Sequence, residues 1–361
     1  MEPPLVSIVI PVSIPNNIAV CLRSLKKIVY PNFEVIAVVN SNSNAAASRI
    51  VSIVKEEALG FPEILKKRVH LIVKPKMLGY AAACNIGYKS HKGKYVLFLN
   101  DDAVVESSCL CKIVEIHEND PAIACVQPKI LSLKNTGIFD YAGAAGGFID
   151  IYGVPFCAGR IFEVVEKDKG QYDDVKEIFW ASGTALFCRS SSIDEVGLFD
   201  ETFFAYMEEI DFAFRVCLRG YRIVLAPNAR VYHLGAATSE SLKIDRDFLA
   251  YKNNLLVLLK NYEIATLTRV MPIRCVLDAS NFLMRLAKKK LRLAVNVPRA
   301  YADLLFRSLR HALEENRRVR ALQIVKMDSV RKKMLPRSIA LLHTLKGVRY
   351  FSQVRNMMPC R

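Results

Sequence analysis

The chain lacks the features that define several large classes of protein. Among its 361 residues there is no run approaching the ~18–20 uninterrupted apolar residues of a membrane-spanning helix. Its ten cysteines are scattered without any Cys-x-x-Cys spacing, which argues against a structural zinc site. The N-terminus shows no basic segment followed by a long apolar one, so we expect no secretory signal. These absences together favour a cytoplasmic protein with reduced thiols.

Acidic residues are scarce in the last quarter of the chain. Residues 265–361 hold 22 of the 51 Lys and Arg but only five of the 35 Asp and Glu. The formal net charge of +16 therefore arises from this segment, while the rest of the chain is close to neutral. We expect a near-neutral chemical domain at residues 1–262 and a basic attachment region at residues 263–361.

What is present is a regular alternation of apolar runs and helical patterns. The runs at 6–12, 33–39, 69–74, 95–99 and 122–126 predict strands, and the segments 18–29, 45–59, 80–90 and 107–119 predict helices. Such alternation with short links predicts βαβ units and a mostly parallel sheet flanked by helices. Further on, we expect an irregular excursion at 135–178, a helix at 204–218 and a strand that ends at His233.

One predicted strand ends abruptly in polar residues. Tyr95–Leu99 is followed at once by Asn100, Asp101 and Asp102. In open α/β sheets, ligands bind outside the carboxyl ends of the strands. Carboxylates at that position can hold a divalent cation that bridges a diphosphate, although a polar turn that merely stops the strand would look the same.

Carboxylates are also crowded at the start of the predicted helix 204–218. Glu208, Glu209 and Asp211 lie within four residues, so mutual repulsion should raise at least one pKa and suit a base that works near neutral pH. The simpler interpretation is an acidic first turn stabilised by the helix dipole. Arg215, one turn beyond Asp211, is expected to pair with it.

In their order along the chain, these pieces resemble one family. The sequence is similar to the family 2 inverting glycosyltransferases of the GT-A fold, and within them to the rhamnosyltransferase-like subgroup, over roughly residues 5–262. The matching segments are VSIVIPV at 6–12, LGYAAACNIG at 78–87, LNDD at 99–102, GQY at 170–172, WASG at 180–183, FAYMEEID at 204–211 and VYH at 231–233.

The resemblance implies a role for each matching residue. Glu209 would be the catalytic base, and Asp102 with His233 would hold Mg²⁺ or Mn²⁺. The donor, a UDP- or dTDP-linked sugar, would be bound by Pro11, Val12, Asn40, Gly79, Asn85, Asn100, Asp101 and Asp102. The acceptor and sugar pocket would include Trp180, Ser182, Gly183 and Glu208. The implied activity is metal-dependent transfer of one sugar, with inversion, to a hydroxyl of a glycan or lipid-linked acceptor.

Two departures from the family pattern concern the donor. Asn40 stands where many relatives have Asp, and Ser13 stands where an aromatic residue often follows the first strand. The Gln-x-x-Arg-Trp motif of processive relatives is absent, because the only tryptophan is Trp180. Addition of a single sugar is therefore expected rather than polymerisation.

Other functions remain open at this stage. A nucleotidyltransferase would also place acids at a strand end, but residues 11–17 lack the Gly and Lys or Arg of its phosphate loop. A nucleotide-sugar-binding protein without catalysis is a second alternative, and nucleic-acid binding through the basic region is a third. That third alternative is disfavoured, and no nucleic acid is expected as a partner, because the region has leucine-rich helical periodicity and only five aromatic residues.

The basic region has the pattern of amphipathic helices. Leucines such as Leu286, Leu291 and Leu304 alternate with Arg285, Lys288–Lys290 and Arg292. Helices of this kind can lie in an anionic membrane surface, which would place the protein on the cytoplasmic face of the membrane. The alternative is a helical subdomain that packs on the core and leaves its basic face in water.

Overall fold

The structure is a computed structural model that describes residues 2–235 and 245–358. The first half of the chain alternates strands with helices, as the sequence predicts. Its elements are β1 (Val6–Val12), α1 (Pro15–Leu25), β2 (Phe33–Asn40), α2 (Asn44–Leu59), α3 (Glu63–Lys66), β3 (Val69–Lys74), α4 (Tyr80–Tyr88), β4 (Tyr95–Leu99), β5 (Ala103–Val105), α5 (Cys109–Asn119) and β6 (Ile123–Ser132).

The second half adds a small sheet and then helices. Its elements are β7 (Gly147–Ile149), β8 (Pro155–Cys157), β9 (Arg160–Ile161), β10 (Val164–Val165), β11 (Lys176–Ile178), β12 (Ala185–Arg189), α6 (Ser190–Val196), a 3₁₀ turn (Glu201–Phe203), α7 (Glu208–Leu218), β13 (Arg222–His233), α8 (Arg246–Asn261), α9 (Ile264–Ala287), α10 (Leu291–Asp303), a π-helical turn (Leu304–Ser308), α11 (Leu309–Leu322), α12 (Met327–Arg331), α13 (Ile339–Lys346) and α14 (Ser352–Arg355).

Nine strands form the main sheet, in the order β11-β13-β6-β12-β4-β1-β2-β3, with β5 paired to β13. The N-terminal strands β1 to β4 are mutually parallel where they pair, whereas β12 runs antiparallel to both β4 and β6. Every residue of β1, β2 and β4 is buried, because helices cover both faces of this part of the sheet. The carboxyl ends of β1 and β4 consequently meet at one edge.

Three segments differ from the sequence-based expectation. Helix α1 begins at Pro15, because proline is well suited to a first helical turn. The excursion at 135–178 contains the antiparallel sheet β7–β10 rather than irregular chain alone. Helix α7 begins at Glu208 instead of residue 204, because Phe204, Tyr206 and Met207 have positive φ angles that no helix accommodates.

The C-terminal region belongs to the same hydrophobic core as the sheet. Leu335, Val348 and Phe351 are buried in the cluster that also contains Phe148 and Phe156 of the small sheet. The predicted boundary at residue 262 therefore does not separate two hydrophobic cores. Within residues 2–235 and 245–358, no helix combines the length and the apolar character needed to cross a membrane.

Candidate active site

The end of β4 gathers the carboxylates that the sequence singled out. Asp101 and Asp102 are buried, and Asp101 Oδ2 accepts a hydrogen bond from the main-chain N–H of Ser13 at 3.2 Å. This contact joins the end of β4 to the loop after β1, next to Pro11 and Val12. Burial, reinforced by the charge of Asp102, raises the pKa of Asp101 to about 7. Two buried carboxylates side by side disfavour each other's negative charge, and a bound cation would relieve that repulsion.

His233, the last residue of β13, completes the group. Its Nε2 lies 3.0 Å from Asp102 Oδ1 and 3.3 Å from the side-chain amide of Asn100, while its Nδ1 lies 2.9 Å from Asp140 Oδ1. Burial by itself would lower the pKa of His233, but hydrogen bonds to Asp102 and Asp140 raise it to about 10. The imidazole is thus held between two carboxylates, with Nε2 directed towards Asp102.

The donor atoms at this position fit a hard or borderline divalent cation. A carboxylate oxygen of Asp102 and the Nε2 of His233, once the imidazole has released its proton, are ligands of the kind that Mg²⁺ and Mn²⁺ accept. Asp140 on Nδ1 is the outer partner that commonly orients a metal-binding histidine. Among the residues that the structure describes, no group of three or more His, Cys, Asp and Glu is arranged around a common metal position. The predicted site has two protein ligands, with diphosphate and water as the others.

The start of α7 presents the second cluster of acids. Glu208 is buried and Glu209 is partly buried, and each has a buried Oε2 with no hydrogen-bond partner in the described part of the chain. Burial raises the pKa of Glu209 to about 7, and burial together with the charge of Glu209 raises the pKa of Glu208 well above its usual value. A carboxylate with this pKa and a free oxygen can accept a proton near neutral pH.

The segment before these acids is strained and clamped. Three non-glycine residues with positive φ within four positions cost conformational energy, which neighbouring contacts must offset. The side-chain amide of Asn253 in α8 donates to the carbonyls of Phe203, Ala205 and Tyr206 at 2.9, 2.9 and 2.8 Å. This clamp fixes the position from which α7 starts, and with it the position of Glu208 and Glu209.

Helix α4 connects the two acidic clusters. The N–H of Tyr80 donates to the carbonyl of Phe204 at 2.6 Å, and the Tyr80 hydroxyl donates to the carbonyl of Gly183 at 2.6 Å. The carbonyl of the next residue, Thr184, accepts from the N–H of Asn100 at 3.0 Å. Hydrogen bonds therefore lead from the segment before α7, through Tyr80 and the turn at 182–184, to the end of β4.

Gly79 is explained by this packing. Its φ of +91° lies in a region that L-residues rarely adopt, and an added Cβ would lie 2.4 Å from the carbonyl oxygen of Phe204. Glycine is required at this position because the chain at Gly79 lies so close to the segment at Phe204. The contact of Gly79 with the donor remains a prediction.

Two of the predicted donor-binding residues make hydrogen bonds within the protein. Asn40 donates to the carbonyl of Gly79 at 3.1 Å and accepts from the N–H of Leu78 at 2.6 Å. Asn85 is buried, and its amide bonds to the main chain of Phe199 and to the carboxylate of Glu201. Both side chains hold loops around the site in place, and their contact with a nucleotide remains a prediction.

Two of the predicted acceptor-side residues, Trp180 and Ser182, are buried and held by hydrogen bonds within the protein. Trp180 is buried against Gly147 and donates from Nε1 to the carbonyl of Phe148 at 2.8 Å. Ser182 is also buried, and its main-chain N–H donates to the side-chain oxygen of Gln127 at 2.8 Å. These contacts fix Trp180 and the residue before Gly183 within the protein, and a direct contact with a sugar remains a prediction.

The predicted pairing of Asp211 with Arg215 is confirmed and is part of a larger network. Asp211 is fully buried, 3.3 Å from Arg215 Nε and 3.0 Å from Lys260 Nζ. Lys260 also contacts Asp200, and its charge holds the pKa of that carboxyl well below the usual range although burial acts to raise it. The network joins α7 to α8, so Asp211 has a structural role.

Sequence reasoning missed Asp140 and Asn253. Asp140 lies in the excursion at 135–178, where no motif or periodicity marked it. Asn253 did carry a recognisable pattern, because Asn253 and Asn254 interrupt an otherwise apolar helix face next to Leu255–Leu258. Buried amides of this kind usually satisfy main-chain groups.

The chain is similar to known proteins over part of its length. Residues 7–183 match the family model described as Glycosyl transferase family 2. The N-acetylglucosaminyl-diphospho-decaprenol L-rhamnosyltransferase of Mycobacterium tuberculosis is 40% identical over 88 residues, which are 24% of this chain and 28% of that protein. Rhamnosyltransferase WbbL of Escherichia coli is 25% identical over 146 residues, which are 40% of this chain and 54% of that one. The chain thus spans less than two thirds of either relative.

Two solved structures share the fold. One, of GalNAc-T7 with UDP, GalNAc and Mn²⁺, has a TM-score of 0.53 and 17% identity, and covers 71% of this chain and 48% of that one. The other is the mannosyltransferase PcManGT from Pyrobaculum calidifontis with GDP-Man and Mn²⁺. It has a TM-score of 0.50 and 15% identity, and the match covers 88% of this chain and 86% of that one. Both support the GT-A fold. Glu209 and His233 lie beyond the residues that the family model matches.

Proposed function

Because the chain carries a glycosyl transferase family 2 domain on the GT-A fold, we propose that it transfers a single sugar, with inversion, from a nucleotide-diphosphate donor. The acceptor is a hydroxyl of a lipid-linked glycan, and the donor nucleotide is UDP or dTDP. The observation that carries this proposal is the 3.0 Å contact between Asp102 and His233 at the end of β4. The sugar-transferring relatives named above support it.

Each reacting group has a candidate residue. Glu209 accepts the proton of the acceptor hydroxyl, whose oxygen then attacks the anomeric carbon from the face opposite the diphosphate. The bond from that carbon to the diphosphate oxygen breaks, and the nucleotide diphosphate leaves with the bonding electron pair. Asp102 and His233 would hold Mg²⁺ or Mn²⁺, which would supply positive charge to the leaving diphosphate. Attack from the opposite face gives inversion.

The surroundings of Glu209 suit this role. A carboxylate with pKa about 7 is largely deprotonated just above neutral pH and still binds a proton well. Asn253, through the 203–207 segment, holds the start of α7 where the base must lie. The turn at 182–184 and Trp180 form the wall that shields the reacting sugar from water.

The basic C-terminal region fits a lipid-linked acceptor. A protein that acts on such an acceptor works at a membrane surface, and residues 265–361 carry the cations that an anionic bilayer attracts. We therefore include peripheral attachment to the cytoplasmic face of the membrane in the proposed function.

The test is a transfer assay with a panel of nucleotide sugars, Mn²⁺ and a lipid-linked N-acetylglucosaminyl diphosphate. The expected products are free UDP or dTDP and an acceptor extended by one sugar, with inverted anomeric configuration determined by NMR. Glu209→Gln serves as the catalytically impaired control. Release of pyrophosphate in a parallel reaction of a nucleoside triphosphate with a sugar 1-phosphate would indicate a nucleotidyltransferase. Donor binding without turnover of any acceptor would indicate a binding protein.

A further inference from the structure

The helical stretch from Leu291 to Leu322 has a second apolar surface that faces solvent. Its buried side packs against α8 through small and apolar residues, namely Ala294, Val297, Ala300, Leu304, Ala312 and Val319. Another side exposes Leu291, Val295, Pro298, Ala302, Leu305 and Phe306, which we term the apolar stripe. Phe306 is 87% exposed, although a phenylalanine in water is unfavourable.

The stripe is continuous along the helix. Its members recur every three or four residues from 291 to 306, the spacing that places side chains on one side of a helix. The π-helical turn at Leu304–Ser308 widens the helix where Leu305 and Phe306 both reach solvent. Single exposed apolar residues are ordinary, but an exposed apolar patch usually marks an interaction surface.

All charged residues in the sequence around the N-terminal end of the stripe are positive. Residues 279–302 contain six Lys and Arg and no Asp or Glu. Lys288, Lys289, Lys290 and Arg292 are exposed at the turn between α9 and α10, immediately next to Leu291. Apolar side chains bordered by Lys and Arg match the arrangement of acyl chains and anionic headgroups in a bilayer surface.

The surface is held rigidly by contacts on its other side. Arg285 forms hydrogen bonds with both carboxylate oxygens of Asp247 in α8, at 2.7 and 2.9 Å. The side-chain amide of Asn296 donates to Asp245 at 3.1 Å. These contacts fix the turn between α9 and α10 against the start of α8, so the stripe exists before any partner binds.

We propose that the apolar stripe, with Lys288–Lys290 and Arg292, is a membrane-docking surface that lies in the headgroup region of an anionic phospholipid bilayer. This assignment rests on the proposed function, since a lipid-linked acceptor places the enzyme at a membrane. A second copy of the chain is a poor occupant, because two faces with this charge would repel each other. Nucleic acid would match the cations but not the aliphatic residues of the stripe.

The test is flotation of the full-length protein with vesicles of phosphatidylcholine alone or of phosphatidylcholine mixed with phosphatidylglycerol. The wild type is expected to float only with the mixed vesicles. Leu291→Gln/Phe306→Gln should weaken vesicle affinity by about tenfold or more, because two apolar side chains no longer enter the interface. Lys288→Gln/Lys290→Gln should weaken it by about fivefold for each lysine.

Matched controls use exposed residues of the same kinds elsewhere on the protein. Leu59→Gln removes a leucine that is 73% exposed on α2, and Lys55→Gln/Lys89→Gln removes two exposed lysines from the catalytic half. Both controls should bind mixed vesicles as the wild type does. All variants should bind UDP or dTDP with Mn²⁺ like the wild type, which separates docking from catalysis.

The possible outcomes are distinct. If the leucine–phenylalanine variant and the lysine variant both bind mixed vesicles as tightly as the wild type does, this assignment is wrong. Membrane attachment would then occur through another surface. If the wild type floats with neither kind of vesicle, the proposed membrane attachment is wrong as well. If the wild type floats with mixed vesicles but binds neither UDP nor dTDP with Mn²⁺, the result counts against the proposed function and not against the docking surface. If the wild type is a dimer in solution and the substitutions Leu291→Gln/Phe306→Gln dissociate it, the partner of the stripe is a second copy of the chain and not a bilayer.

Discussion

Asn253 donates a hydrogen bond to the main-chain carbonyl of Tyr206 at 2.8 Å, and so joins α8 to the residue two positions before Glu208. The same amide also holds Phe203 and Ala205. A strained segment keeps one conformation only when its surroundings determine it, so this clamp is a positioning element for the proposed base.

Replacing Asn253 by alanine should therefore affect the base as well as the fold. Loss of the buried amide removes a hydrogen-bond donor from these main-chain carbonyls, at a cost of about 1–3 kcal/mol in the free energy of unfolding. Asn253→Ala should also lower kcat more than it raises KM and shift the acid limb of the pH–rate profile, because Glu209 changes its surroundings.

The chain contains a matched control for this prediction. Asn316, also buried, donates to the carbonyls of Leu259, Lys260 and Tyr262 at 2.8, 3.1 and 2.8 Å. Asn316→Ala should reduce stability by a similar amount and leave the pH profile unchanged. If the two variants change kinetics alike, Asn253 is only a structural residue.

Glu209→Gln should lower the transfer rate by roughly 10²–10⁴, the usual contribution of a general base. The wild-type kcat should rise with pH through about 7, because the base must be deprotonated and its pKa is raised to that value. Steady-state kinetics of Glu209→Gln and Glu208→Gln over a range of pH would check both statements. A much larger loss in Glu208→Gln would move the assignment to Glu208.

The same substitution should stabilise the protein at high pH. Between the ordinary pKa of 4.5 and the raised value of about 7, the folded protein binds more protons at Glu209 than the unfolded chain does. The contribution of Glu209 to the free energy of unfolding consequently falls as pH rises through that window. Glu209→Gln removes the penalty, so above pH about 7 its Tm should exceed that of the wild type. An unchanged Tm difference across pH would contradict the raised pKa.

Divalent cation binding should depend on residues at the end of β4 and on their outer partner. Asp102→Asn should abolish Mn²⁺-dependent binding of UDP or dTDP, and His233→Ala should weaken it. Asp140→Asn should reduce Mn²⁺ affinity by about 10–100-fold, because Asp140 orients His233. Asp120→Asn, which removes a carboxylate paired with Arg222, is the control. Calorimetric titration measures all four, and equal nucleotide affinity with and without Mn²⁺ in the wild type would rule out the site.

The C-terminal residues should contribute directly to stability. The ring of Phe351 lies 4.8 Å from that of Phe148 and is 2% exposed. Phe351→Ala should reduce the free energy of unfolding by about 3–5 kcal/mol, whereas Tyr350→Ala, at a residue 50% exposed, should change it by less than about 0.5 kcal/mol. Urea denaturation compares them, and equal stability of the two variants would show that the C-terminal region does not share the core.

Truncation after Tyr262 is expected to give an insoluble or unfolded protein for the same reason. The sequence alone favoured an independent domain at residues 1–262, because the change in charge near residue 265 is abrupt. In the structure, the residues that cover Phe148 and Phe156 come from the far end of the chain, and their removal exposes a large apolar surface. A soluble truncated protein that binds nucleotide would restore the two-domain interpretation.

The sequence by itself determined the local elements and the ends of the strands. An unbroken apolar run such as Tyr95–Leu99 specifies a strand buried on both faces, and the acids after it mark the edge where parallel strands end. The order of motifs predicted the similarity to glycosyl transferase family 2, whose family model matches residues 7–183. The residues of β3 and β4 were predicted without error, because their hydrophobic pattern depends on neighbours in the chain.

Only the tertiary structure decided where α7 begins, which carboxylate orients His233 and what the basic region packs against. The start of α7 depends on the side-chain amide of Asn253, which lies more than forty residues further along the chain. The helix propensities of residues 204–207 give no indication of that contact. Asp140 acquires its role from contact with a strand end 93 residues away. Leucines that cover a core and leucines that face a membrane have the same helical spacing, so their sequence pattern is identical. The packing of the whole chain buries Val330, Leu335 and Phe351 and leaves Leu291 and Phe306 in solvent.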